Sequence, residues 1–125
     1  MSVILEAPGG RTLQVNAWNW GVLHHLVSAA GLFPEEVWEP KRSNGGGALD
    51  ADQVASLAGF LAERVRPRLA PGERMFFDGS TTEVPDDGTF FRAEDELWKN
   101  YSLTREMLDR VIEFLASAGG PVTVH

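Results

Sequence analysis

An α+β fold is predicted, in which an antiparallel or mixed sheet carries three helices packed mainly on one face as a two-layer sandwich. Three observations support it: β-prone runs paired across turn residues, three amphipathic segments with apolar residues at helical spacing, and a terminal Val-Thr-Val run. A doubly wound parallel sheet fits less well, because adjacent strands favour hairpins over crossovers. With 125 residues, the stretch 1–125 reads as a single domain.

Residues 3–7 and 12–15 are short β-prone runs joined by Pro8-Gly9-Gly10-Arg11, whose glycines supply the positive φ that a tight reversal needs, so a hairpin is expected. Asn16 then caps a first helix through its side-chain oxygen, with Val15 and Trp20 placed as a hydrophobic staple and Gly31 as the stop. On this helix Trp18, Trp20, Val22, Leu23, Leu26, Val27, Ala29 and Ala30 share one arc, while Gly21, His24, His25 and Ser28 share the opposite one. Asn19 falls near the centre of the apolar arc, where an amide must find partners or cost about 1–3 kcal/mol. A neighbouring backbone group, or a role as cap of a shorter helix, would satisfy it.

Residues 32–48 form a connection containing Trp38, two prolines and the run Ser43-Asn44-Gly45-Gly46-Gly47. A structureless link of this length inside a domain is often functional or mobile. Asp50 caps the second helix, Gln53 completes a capping box, and Leu49 with Val54 forms the staple. Val54, Leu57, Ala58, Leu61, Ala62 and Val65 are its core stripe, which Pro67 interrupts. Met75-Phe76-Phe77 and Thr89-Phe90-Phe91-Arg92 read as strands that pair, with Pro85-Asp86-Asp87-Gly88 supplying turn chemistry between them. The third helix is expected over residues 103–118, with Gly119 as its stop and Val122-Thr123-Val124 as the last strand.

Composition excludes several function classes. Hydrophobic residues at 43% and charged residues at 23% match a globular chain rather than a disordered one. No apolar run approaches the ~20 residues of a bilayer span, and the opening Met1-Ser2-Val3-Ile4-Leu5-Glu6 is not a secretory leader, so a cytoplasmic chain without a membrane partner is expected. Cysteine is absent, which removes disulfides and thiolate chemistry. A net charge of -7 repels phosphate backbones, so nucleic acid is not expected and a basic partner would be steered in instead.

The candidate site residues are Trp18, Trp20, His24, Trp38 and Asn44, and none is assigned catalysis. Neighbouring His24 and His25 diverge by about 100° on a helix and cannot share one metal in the usual way, so no metal and no cofactor is expected. The histidines read first as solvated, with a pocket role for His24 beside Trp20 as the alternative. The glycine run precedes a helix but lacks Gly-Lys-Ser/Thr and the dinucleotide spacing, and so reads as a loop. Asp78, Ser80 and Thr82 imitate a calcium loop that Glu83 and Thr89 break. Trp38 and Trp98, flanked by carboxylates, read as core plugs, with partner anchors as the alternative.

The words Asn16-Ala17-Trp18-Asn19-Trp20, Pro85-Asp86-Asp87-Gly88-Thr89-Phe90 and Trp98-Lys99-Asn100-Tyr101-Ser102 together resemble a family of small uncharacterised bacterial proteins. That resemblance implies a bacterial cytoplasmic setting and no particular activity. On the residues themselves, the reading is a small acidic, non-enzymatic protein-binding or regulatory module, of the immunity-protein kind, using exposed tryptophans beside carboxylates. The alternative is a small-molecule pocket or small enzyme in which Trp20 and His24 meet the loop 44–47. Oligomeric state is left open.

Overall fold

The computed structural model describes residues 2–43, 46–85 and 92–125. Its strands are β1 (Ser2–Glu6), β2 (Thr12–Asn16), β3 (Gly47–Leu49), β4 (Arg74–Met75), β5 (Thr81–Thr82), β6 (Leu103–Thr104) and β7 (Val122–Val124). Its α-helices are α1 (Ala17–Ala30), α2 (Glu35–Trp38), α3 (Ala51–Phe60) and α4 (Arg105–Ala116). Together they make an α+β fold.

β1 and β2 form the expected hairpin, with Val3 opposite Val15 and Leu5 opposite Leu13. Gly9 and Gly10 make the reversal at φ of 85° and 84°, a region that L side chains avoid. Alternation does the rest: Val3, Leu5, Leu13 and Val15 are buried, while Ile4, Thr12 and Gln14 face outward. β7 inserts between β1 and β3, giving an antiparallel sheet of order β2-β1-β7-β3. α1 packs on β1 and β2, α4 on β2 and α3 on β3, so the three longer helices cover the sheet's apolar residues.

A second antiparallel sheet, β5-β4-β6, corrects the expected pairing near residue 75. β4 turns back through Asp78-Gly79 to β5 and also takes β6 as a neighbour. Phe76 and Phe77 therefore fall in the turn region rather than in a strand, and the proposed partner Thr89-Phe90-Phe91 lies outside the described residues. α4 starts two residues later than expected because Leu103 and Thr104 are spent on β6, and Thr104 caps the helix by accepting the Met107 N–H at 3.1 Å.

Local signals explain the helix boundaries. Asn16 Oδ1 accepts the Asn19 N–H at 2.9 Å, and Gly31 ends α1 at φ 65°. Asn19, buried, is bonded at both ends of its amide: Nδ2 donates to Asn16 Oδ1 at 2.9 Å, and Oδ1 accepts the Thr104 N–H at 2.8 Å, tying α1 to β6. In α3 both halves of the Asp50–Gln53 capping box are present. Pro67 has no N–H for the Glu63 carbonyl, and the chain answers with a π turn over Leu61–Val65, in which Arg66 N–H reaches back five residues to Leu61. The 32–48 link is not structureless, because α2 and a 3-10 turn (Glu39–Arg42) lie within it and carry Trp38 into the core. No described helix is long and apolar enough to cross a membrane.

Candidate functional site

α1 carries the site because its two faces are used differently. Trp20, Val22, Leu23 and Val27 are sealed in the core, whereas Ala17, Gly21, His24, His25 and Ser28 line the floor of a groove of about 790 Å³. That floor is essentially the arc opposite the apolar one. Phe77 and Tyr101 border it on the His25 side, with the Phe77 ring edge-on to His25 at 5.4 Å. Glu39, Arg42 and Ser43 border it on the His24 side. Gly21 permits the close wall: a Cβ there would stand 3.1 Å from the Tyr101 ring.

Behind the groove, His24 is locked into the core. Only 3% of it is exposed, which corrects the expectation of a solvated histidine. Its Nε2 lies 2.8 Å from the Trp38 carbonyl, and since a carbonyl only accepts, Nε2 carries the proton. Trp38 Nε1 in turn donates to the His24 carbonyl at 3.0 Å, and the two rings stack with centroids 4.7 Å apart and 8° between planes. Trp20 closes the cluster, its ring 6.0 Å from Trp38 and its Nε1 donating to the Lys41 carbonyl at 2.8 Å. Trp20 and Trp38 are 1% and 2% exposed, and both buried indole N–H groups are satisfied by backbone carbonyls, that of Trp20 in the 32–48 link and that of Trp38 on α1.

The consequence lies at the other imidazole nitrogen. Among the described residues Nδ1 of His24 has no hydrogen-bond partner and no fully buried side-chain nitrogen or oxygen lacks one, so Nδ1 keeps access to solvent, and the groove is the concavity that His24 lines. Burial pushes the His24 pKa below its ordinary value, against the opposing pull of the Trp38 carbonyl and Glu39. The ring is therefore neutral near pH 7 and presents a fixed lone pair. No protein-family model, curated protein or solved structure matches this chain.

The other predicted residues are spread unevenly. Trp18 is half-buried with its ring edge-on to Tyr101 at 4.8 Å, just beneath the groove wall, and Asn44 lies outside the described residues. Trp38 is a core plug as read, whereas Trp98 is 46% exposed. Lys41, which sequence reasoning passed over, is 4% exposed, donates Nζ to the Val37 carbonyl at 2.6 Å, and forms no ion pair among the described residues. Burial lowers its pKa. Gly46 packs against the backbone of Lys41: a Cβ there would collide with Lys41 Cα at 2.5 Å and the Pro40 carbonyl at 2.6 Å. Tyr101, Phe77, Arg42 and Ser43 were also missed, and only the Trp-Lys-Asn-Tyr word pointed toward one of them. Among the described residues no three His, Asp or Glu side chains gather as a metal-binding group.

Proposed function

We propose that the protein is a small-molecule-binding module, and that its groove takes a planar ligand carrying a hydrogen-bond donor. The observation that carries this is the open Nδ1 of a neutral, immobilised His24 facing a concave site. A buried histidine held by Trp38 on two sides has lost the freedom that a ligand would otherwise have to freeze out, so binding there costs little ordering. Phe77 and Tyr101 offer ring faces and edges to a planar body, and the Glu39–Arg42 pair at 3.5 Å offers charge of both signs at the rim. Among the described residues neither Ser28 nor Ser43 is hydrogen-bonded to His24 or His25, and the proposal is one of binding. A cytoplasmic setting belongs to the same proposal, supported by the composition and by the resemblance to small bacterial proteins.

A thermal-shift screen of small heteroaromatic compounds tests it, read together with the imidazole nitrogen resonances. A true ligand raises Tm in the wild type and moves the His24 Nδ1 signal. Gly21→Leu, which fills the floor, and Arg42→Ala, which is on the surface, should each weaken or abolish the effect. No stabilising compound, together with both α1 histidines titrating at ordinary values, would end the proposal.

One observation favours the protein-binding reading instead. Leu97 and Trp98 stand exposed in the same turn as Glu94, Asp95 and Glu96, an apolar anchor inside an acidic rim. Its anchors are not Trp20 or Trp38, which have no exposed surface to give. A partner bound by the wild type and lost with Trp98→Ser would support that reading, and equal retention would remove it.

A further inference from the structure

A second concavity, of about 490 Å³, lies where the Pro67-broken end of the α3 segment meets the first turn of α4. Three arginines border it, Arg66, Arg68 and Arg105, together with Glu73. Arg105 is the rigid one. Its Nε sits 3.0 Å from both Asp109 oxygens and its Nη1 donates to the Leu69 carbonyl, while its backbone N–H donates to Glu73 at 3.1 Å. Arg66 reaches the same Asp109 carboxylate through Nε at 3.3 Å. One carboxylate thus holds the Nε edges of two guanidiniums, and no other side-chain bond of Arg66 is made among the described residues.

Arg68 forms no ion pair among the described residues, and its guanidinium lies over Gly79, where a Cβ would stand 2.6 Å from Nη2. The Glu73 carboxylate is turned to the backbone, accepting the Ala70 N–H at 2.7 Å. Three arginines are thus accompanied by two carboxylates, Asp109 shared between Arg66 and Arg105 and Glu73 bonded to the backbone, on a chain whose net charge is -7. The π turn before Pro67 ends with Arg66 as its cap.

We infer that this concavity binds the phosphate group of a small phosphorylated molecule. Guanidinium forks match the tetrahedral oxyanion through paired N–H donors, and the local excess of positive charge favours an anion. The concavity is wide and open, so an organic remainder attached to the phosphate has room beside it.

Inorganic phosphate, titrated against chloride at matched ionic strength, is the probe, with the arginine Nε–H cross-peaks as readout. Saturable shifts at Arg66 and Arg105 are expected. Arg66→Gln and Arg68→Gln should each weaken binding roughly fivefold or more, while Arg64→Gln removes the same charge from the same helix end outside the concavity and should change it by less than about twofold. Both tested arginines are on the surface, so folding survives their loss. Phenyl phosphate should bind more tightly than inorganic phosphate. Shifts that never saturate, or an Arg64→Gln loss equal to the others, would overturn the site, and phenyl phosphate binding no tighter would overturn the phosphorylated ligand.

Discussion

His24 and Trp38 exchange hydrogen bonds crosswise, each ring N–H donating to the other residue's main-chain carbonyl, at 2.8 and 3.0 Å, while the rings stack 4.7 Å apart. The arrangement staples the 32–48 link to α1 without using any side-chain acceptor. It also decides which imidazole nitrogen is left for the groove.

Removing the indole should therefore be costly. Trp38→Ala deletes a fully buried ring, leaves the His24 Nε2–H contact with a displaced backbone, and opens a cavity between α1 and α2, so a loss of about 3–5 kcal/mol is expected in urea unfolding. A change below about 1 kcal/mol would mean that Trp38 is not the plug described.

Acid should loosen the fold through His24. In the unfolded chain the imidazole titrates near its ordinary value of about 6.5, and in the folded protein burial holds it lower. Between those two values the unfolded state holds more protons, so stability rises with pH there. The contribution is complete above about pH 6.5 and is lost as pH falls toward the folded pKa. Urea midpoints of the wild type and of His24→Gln, compared from neutral to mildly acidic pH, should converge on the acid side, and parallel curves would contradict this. Protonation also converts Nδ1 from acceptor to donor, so groove ligands should weaken over the same range.

Lys41 gives the opposite kind of test. Its amine is withdrawn from water with a single carbonyl partner, which burdens the folded state as long as the group is charged. Lys41→Met keeps the stem and removes the charge, so it should raise the unfolding midpoint at neutral pH. The wild type should gain stability on the alkaline side, as pH rises through the lowered folded pKa toward the unfolded value, and the variant should lack this gain. A destabilised Lys41→Met would show that the Val37 bond outweighs desolvation.

Two adjacent glycines should separate steric from conformational need. Gly46→Ala drives a Cβ into the Lys41 and Pro40 backbone and should cost about 1–3 kcal/mol or more. Gly47 has open space around it but a φ of 83°, so Gly47→Ala should cost about 1–2 kcal/mol from backbone strain alone. Calorimetry of the pair checks the order.

Elements read from neighbouring residues were legible in the sequence. Asn16, Gly31, Asp50 with Gln53, and Pro67 act within one helical turn, so their hydrogen-bonding needs mark the boundaries whatever the surrounding fold. The hairpin of β1 and β2, the last strand and the helix-covered α+β character follow from period-two and helical spacing in the same way. The polar arc Gly21, His24, His25 and Ser28 was visible too, although it read as a solvated face.

Tertiary structure decided what those residues face. Nothing within a turn of His24 says that Trp38, fourteen residues on, will roof it, so an arc that looked solvated became half core and half groove. The same holds for Tyr101 against Gly21, Gly46 over Lys41, and β6 displacing the start of α4. Helical and strand periods record which side of an element is apolar, because that is settled by its own residues. Burial and tautomer, and the company a charge keeps, depend on distant segments brought together by packing, and no local pattern encodes them.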